Sequence, residues 1–280
     1  MPSVSHLAVD VALFCASVLS GMLGIGVAFA AIPILSIHGG DLVHELQPVA
    51  LFLNGVTALF AAIAFARAGY VDWGRCTWWV SAVATIFSPI GAYVAHLVET
   101  RFLWGSYMAA VVVVLLLLLI ERPGHLGRHK NWLAHALLAA GPISLFSGML
   151  GVGPGFLLVP ALIFLGMTPR SAAAMNAVAV VPSSFSALIP HVGTADIDPV
   201  SYVPIVLIAA SGALIGGHLA SYRVGDRRLR YLFVTLLFCL ALYKGITLYG
   251  PRDLISSYSD LPCNSTVIIL ANVRGNSCPH

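Results

Sequence analysis

Apolar stretches long enough to cross a bilayer recur along almost the whole chain, separated by short polar connections. A helix needs about 20 apolar residues to span ~30 Å of hydrocarbon. Segments at about 46–66, 76–97, 102–120, 171–190, 200–221 and 229–249 supply that length, and two others, 7–38 and 132–167, exceed it. Charged residues make up 9% of the 280 and hydrophobic ones 59%. Soluble domains carry roughly 25% and 45–50%, so a water-soluble fold could not cover this much apolar surface. The expected fold is an all-α polytopic membrane protein, a single membrane domain over 1–250 followed by a polar tail over 251–280. The N-terminal stretch has no basic segment before it and is too long for a cleaved leader, so it reads as mature sequence.

The two long stretches are copies of one another. Ser20-Gly21-Met22-Leu23-Gly24-Ile25-Gly26, running on to Pro33, matches Ser147-Gly148-Met149-Leu150-Gly151-Val152-Gly153, running on to Pro160, at a constant offset of 127. Further on, Asn54 pairs with Asn176, and the segment from Arg67 to Asp72 pairs with that from His191 to Asp196. The chain therefore reads as two homologous halves, about 7–121 and 132–250, joined by a polar linker at 122–131. Glycine and proline inside an apolar span mark a break. Each half is expected to hold a glycine-broken helical hairpin, broken at 21–28 and 148–155, followed by three transmembrane helices.

The basic residues test this expectation, because Lys and Arg gather on the cytoplasmic side. If each long stretch is a single crossing, eight fall on one side and six on the other; if each is a hairpin, the division is ten to four. The hairpin arrangement restores the bias, makes the halves inverted repeats and puts both termini outside the cytoplasm. Inverted repeats with broken helices are a transporter architecture, with the substrate held near the midplane between the repeats.

Asp41, Glu45, Asp72, Glu99, Glu121, Asp196 and Asp198 fall at the ends of spans or in connections. A cation carrier places a carboxylate deep in the bundle, so an anion is the expected substrate. Helix N-termini hold anions through open N–H groups and the positive end of the dipole. The candidate substrate-binding residues are Gly24, Ile25 and Gly26, Gly151, Val152 and Gly153, Asn54 and Thr57, and Asn176 and Ser183, with Ser184 beside it. Arg67 and His191, which close the same span in the two halves, are candidates for drawing an anion to the mouth of a cavity. Each has a structural alternative: glycines let helices pack closely, Asn and Ser bond between helices, and long basic side chains snorkel to headgroups.

Other classes find little support. No Gly-x-x-x-x-Gly-Lys-Ser/Thr occurs, which excludes ATP-driven pumping by this chain alone. His44-Glu45 begins like a zinc motif but lacks the second histidine, no C-x-x-C spacing exists, and Ser20 and Ser147 lie in no nucleophile context, so neither enzyme, metal site nor cofactor is expected. Basic residues form no patch for nucleic acid. Cys263 and Cys278 could pair only if the tail faces an oxidising compartment.

These residues give the chain its resemblance to the TauE/SafE family of sulfite and organosulfonate exporters. The family pattern is Gly-x-x-Gly-x-Gly-Gly-Gly before an apolar run and proline, in both halves, with a later Gly-x-Val-Asp-Trp turn. Gly21 to Gly26 with Pro33, Gly148 to Gly155 with Pro160, and Gly69-Tyr70-Val71-Asp72-Trp73 carry it over about residues 10–250. Val27, Ala28 and Pro154 stand where the family has glycines. The resemblance implies a secondary transporter in a bacterial cytoplasmic membrane, exporting sulfite or a short organosulfonate such as sulfoacetate, with coupling to a proton or sodium gradient. Another small anion as substrate, a non-transporting scaffold subunit and a homodimer all stay open at this point.

Overall fold

The computed structural model describes residues 4–35, 42–99, 132–191 and 199–229, with parts of 101–113 and 231–242. The linker at 122–131, most of the expected spans at 102–120 and 229–249, and the tail with Cys263 and Cys278 lie outside the described residues. Among those described, eight α-helices follow one another: α1 (Val4–Leu23), α2 (Ala28–Leu35), α3 (Gln47–Arg67), α4 (Arg75–Ala95), α5 (Trp132–Leu150), α6 (Gly155–Phe164), α7 (Pro169–Ala187) and α8 (Pro199–Tyr222). A π-helical turn, Leu42–Leu46, leads into α3, and a 3-10 turn, Ile189–His191, closes α7. Segments 44–67, 75–95, 132–150, 169–191 and 202–222 are long and apolar enough to cross a membrane, and the apolar helices at Val9–Leu23 and Gly155–Phe164 are shorter.

Each long apolar stretch is two helices, as its glycines require. α1 ends in a Schellman motif: Ile25 N–H donates to Ser20 O, Gly24 N–H donates to Gly21 O, and Gly24 takes φ 62°. α5 ends identically, with Val152 N–H on Ser147 O, Gly151 N–H on Gly148 O and Gly151 at φ 70°. This cap needs a left-handed residue just past the helix, a conformation that costs any residue with a Cβ about 1–2 kcal/mol. Gly26 and Gly153 are left-handed as well, at φ 75° and 68°, so the chain turns twice before the next helix begins. The prolines do not make the breaks: Pro33 and Pro160 lie inside α2 and α6.

The remaining motif glycines pack helices instead. A Cβ on Gly21 would overlap the Ala213 carbonyl, and one on Gly216 would overlap the Val18 carbonyl, so α1 and α8 touch backbone to backbone. The same contacts recur between α5 and α4, with Gly148 on Ser88 and Gly91 on Leu145. The first helix of each half is thus paired with the last long described helix of the other. In lipid, small residues that let backbones approach are a principal source of helix association. α3 and α7 run through the middle, their apolar windows 67% and 61% buried against 39% for both α4 and α8. α4 and α8 turn Trp79, Ile86, Tyr93, Leu207 and Ile215 outward, as surfaces solvated by lipid chains do.

Among the described residues, acidic side chains keep to helix ends and connections with one exception. Asp10 lies on α1, two turns from its start and half-buried.

Candidate functional site

The two breaks meet. A Cβ on Gly155, at the start of α6, would overlap the carbonyl oxygen of Ile25, in the middle of the first break. Irregular backbone at this depth is tolerated only where protein or a polar cavity satisfies it, and the groups that satisfy it come from α3 and α7.

Asn54 is wedged between the breaks. Its Oδ1 accepts the Ala28 N–H at 2.9 Å, and its Nδ2 donates to Ser184 Oγ at 2.9 Å. Its amide also lies against the α-carbons of Gly26 and Gly153, where a Cβ would overlap it. Thr57, one turn along α3, accepts the Val27 N–H at 3.2 Å and donates to Leu53 O at 2.8 Å. Asn54 and Thr57 together therefore cap α2, taking two of the N–H groups that a helix start leaves without an internal partner.

Two amides reach into the breaks from the opposite half. Asn176 Nδ2 donates to Gly24 O at 2.7 Å, and Gln47 Nε2 donates to Met149 O at 3.3 Å. Gly24 abuts the Ala173 carbonyl and Gly151 the Gln47 side chain, so neither position has room for a Cβ. Ile25, Asn54, Ser183, Ser184, Asn176 and Gln47 are all 0% exposed.

The expected site residues therefore divide. Gly24, Ile25, Gly26, Gly151, Val152 and Gly153 form the breaks, and Asn54, Thr57 and Asn176 bind them. Ser183 is buried on α7 but donates to Val180 O of its own helix at 3.1 Å; its neighbour Ser184 is the one that reaches Asn54. Arg67 and His191 are not brought together. Arg67 is exposed at the end of α3, close in sequence to Tyr70, whose hydroxyl accepts from Arg170 Nη1 at 2.7 Å. Arg170 opens α7 and also bonds the Val224 carbonyl and pairs with Asp226 at 3.6 Å. His191 lies in the turn that closes α7, about 32 Å from Arg170 at 1.5 Å per residue. It sits with His96 at a ring-centroid distance of 4.8 Å, and His96 lies 5.6 Å from His44. Sequence spacing alone did not point to this histidine row, because its members come from three separate elements.

The Gly69-Tyr70-Val71-Asp72-Trp73 turn has a structural part. Gly69 is left-handed at φ 77°, Asp72 Oδ1 accepts the Gly74 N–H at 2.9 Å, and Thr77 Oγ1 donates to Asp72 O, which together fix the turn into α4. Tyr70 ties that turn to α7 through Arg170.

A family model described as "Sulfite exporter TauE/SafE" matches residues 11–244. The chain belongs to the TauE/SafE family. That span takes in most of α1, every later helix through α8 and both glycine breaks, so this TauE/SafE protein is a multi-pass membrane transporter, and the family is not one of enzymes. No curated protein and no solved structure matches the chain.

Proposed function

We propose that the protein is a secondary transporter exporting a small sulfur oxyanion or short sulfonate, such as sulfite or sulfoacetate, across a bacterial cytoplasmic membrane. The observation that carries this reading is the meeting of the two glycine breaks around Asn54. Two helices, α2 and α6, begin there, and their positive dipole ends favour an anion. The groups at the centre are amides, hydroxyls and backbone N–H, and none of the residues named there is acidic.

Asn54 Oδ1 and Thr57 Oγ1 occupy the N–H groups of Ala28 and Val27 as an oxyanion would. In the proposed cycle a substrate oxygen takes their place when the breaks part, and the two side chains return when it leaves. The central residues are shut off from solvent in the conformation described, which corresponds to an occluded state in alternating access.

Inverted halves are part of the proposal. Tyr70, Arg170 and Val224 bring the end of α3, the start of α7 and the end of α8 to one level, while His44, His96 and His191 bring together the start of α3 and the ends of α4 and α7. α3 and α7 then run in opposite directions, as do α4 and α8. Arg67, Arg75, Arg170, Arg223, Arg227 and Arg228 gather at the first level, which the positive-inside rule assigns to the cytoplasm. α1 packs alongside α8 with Phe14 and Ser17 near Gly212, Gly21 near Ala213, and Val18 and Met22 near Gly216; the parallel course this implies supports an N-terminus on the outer side.

A ligand that binds only the folded protein raises its apparent stability by mass action. Purified protein is expected to melt at higher temperature with sulfite or a short sulfonate, and to show no shift with a carboxylate or chloride at the same ionic strength. A flat response across sulfite, sulfate, thiosulfate and sulfoacetate would sink the sulfur-anion reading.

A further inference from the structure

Three histidines from separate elements meet at the level opposite the arginines. His44 lies in the turn that leads into α3, His96 just past the end of α4, and His191 in the turn that closes α7. The ring centroids of His96 and His191 are 4.8 Å apart, and those of His44 and His96 5.6 Å. The row runs inward, from exposed His44 through half-buried His96 to His191, which is 1% exposed.

The repeat gives this row a counterpart. α3 and α7 are equivalent through Asn54 and Asn176. α4 and α8 are equivalent through Gly91 and Gly216, since Gly91 meets Leu145 and Met149 as Gly216 meets Val18 and Met22. The row joins the start of α3 to the ends of α4 and α7. The equivalent places in the other half are the start of α7 and the ends of α8 and α3. There Arg170 donates to the Tyr70 hydroxyl at 2.7 Å and to Val224 O, and pairs with Asp226 at 3.6 Å. The two clasps occupy matched places but differ in chemistry. A guanidinium stays charged at every physiological pH, whereas histidine ordinarily changes its charge between about pH 5 and 8.

We infer that the histidine row is a proton-binding site that works the outer gate: neutral, it lets the ends of α3, α4 and α7 close, and protonated, it parts them. The sign follows from the spacing. In the closed row a second proton meets like charge one ring away, and with the elements apart it does not. The open form therefore binds more protons, and acid on the outer side favours it. Glu45, Tyr93, Glu99 and Arg101 are the other titratable groups near the row on the elements that carry it, and all are exposed. His38 and Asp41, which precede His44 in sequence, lie outside the described residues. Of the helices packed on α3, α4 and α7, α2 and α6 have no titratable group, α1 has His6, Asp10 and Cys15, α5 has His135 in its first turn, and α8 has Tyr202, His218 and Tyr222. Exposed charges act on the row through water and are screened; the rings act on one another directly. The inference rests on the alternating-access part of the proposal above and not on which anion is carried.

The test follows hydrogen–deuterium exchange of the full-length purified protein, without any sulfur anion, at about pH 5.5 and about pH 7.5, either side of histidine's ordinary pKa. Rates are corrected for the intrinsic effect of pH on exchange. Backbone at 44–50 and 185–191 is expected to exchange faster in acid, by ~10-fold per pH unit for each extra proton the open form binds. Backbone at 67–74 and 169–175 is expected to show no such dependence. In His96→Gln, which removes the middle ring, and in His44→Gln, at an exposed position, the acid response shrinks. Arg170→Gln, in contrast, loosens 67–74 and 169–175 equally at both pH values. Equal corrected rates at 44–50 and 185–191 in the wild type, or an acid response undiminished in either histidine variant that melts as the wild type does, overturns the inference and leaves the row as packing. With no anion present, such a failure leaves the sulfur-anion reading standing, and a flat melting response to sulfur anions leaves the row standing.

Discussion

Replacing Asn54 by leucine is expected to abolish sulfite efflux and to destabilise the protein by several kcal/mol. Leucine has as many side-chain heavy atoms as asparagine but bulkier methyl groups, so lost hydrogen bonds are joined by overpacking against Gly26 and Gly153. The Ala28 N–H and the Ser184 hydroxyl lose their buried partner, at about 1–3 kcal/mol for each group left unpaired. The N-terminus of α2 loses half of its side-chain cap, since Thr57 holds only Val27. Because Asn54 also touches Gly26 and Gly153, the effect falls on both breaks at once. Efflux from proteoliposomes and a melting curve read the two consequences separately. Near-normal efflux in Asn54→Leu would remove Asn54 from the transport path.

Gly24→Ala is expected to cost far more than Gly69→Ala, although the two glycines have almost the same backbone conformation, φ 62° and 77°. A Cβ at Gly69 meets nothing within 4 Å, so alanine there pays only the left-handed penalty, about 1–2 kcal/mol. At Gly24 the added carbon also runs into the Ala173 carbonyl, a backbone atom of a central helix that cannot swing aside. Overpacking adds about 1–3 kcal/mol more, and the displaced α7 carries Asn176 and Ser184 with it. Transport is expected to be lost in Gly24→Ala and kept in Gly69→Ala. Equal melting temperatures for the two variants would show that the break is not held against α7.

The architecture was legible in the sequence to the extent that it rests on local chemistry. Glycine at 24, 26, 151 and 153 is demanded by backbone conformation, and the duplicated pattern placed both breaks correctly. Asn54 and Asn176 stood out because they are amides at matched places in apolar helices. Their roles were not readable. Asn54 caps the helix after its own half's break and also abuts the other break, whereas Asn176 bonds the break of the other half, a difference set by which helices pass between the breaks. Gly21 and Gly148 look like part of the same motif, yet they pack helices, because they point to α8 and α4 and not into the turn. Gln47 looked like the edge of a span until Met149, 102 residues away, became its partner. Arg67 and His191 match in the alignment of the halves but close helices that end at different levels, so equivalence in sequence did not mean proximity.

That this TauE/SafE protein exports a sulfur oxyanion is tested most directly by loading proteoliposomes with radiolabelled sulfite and following its loss. Efflux well above that from protein-free vesicles, competed by a short sulfonate and absent in Gly151→Leu that still inserts and folds, is the expected result. Sulfite retained as in protein-free vesicles, with the wild-type protein folded and inserted, would contradict it.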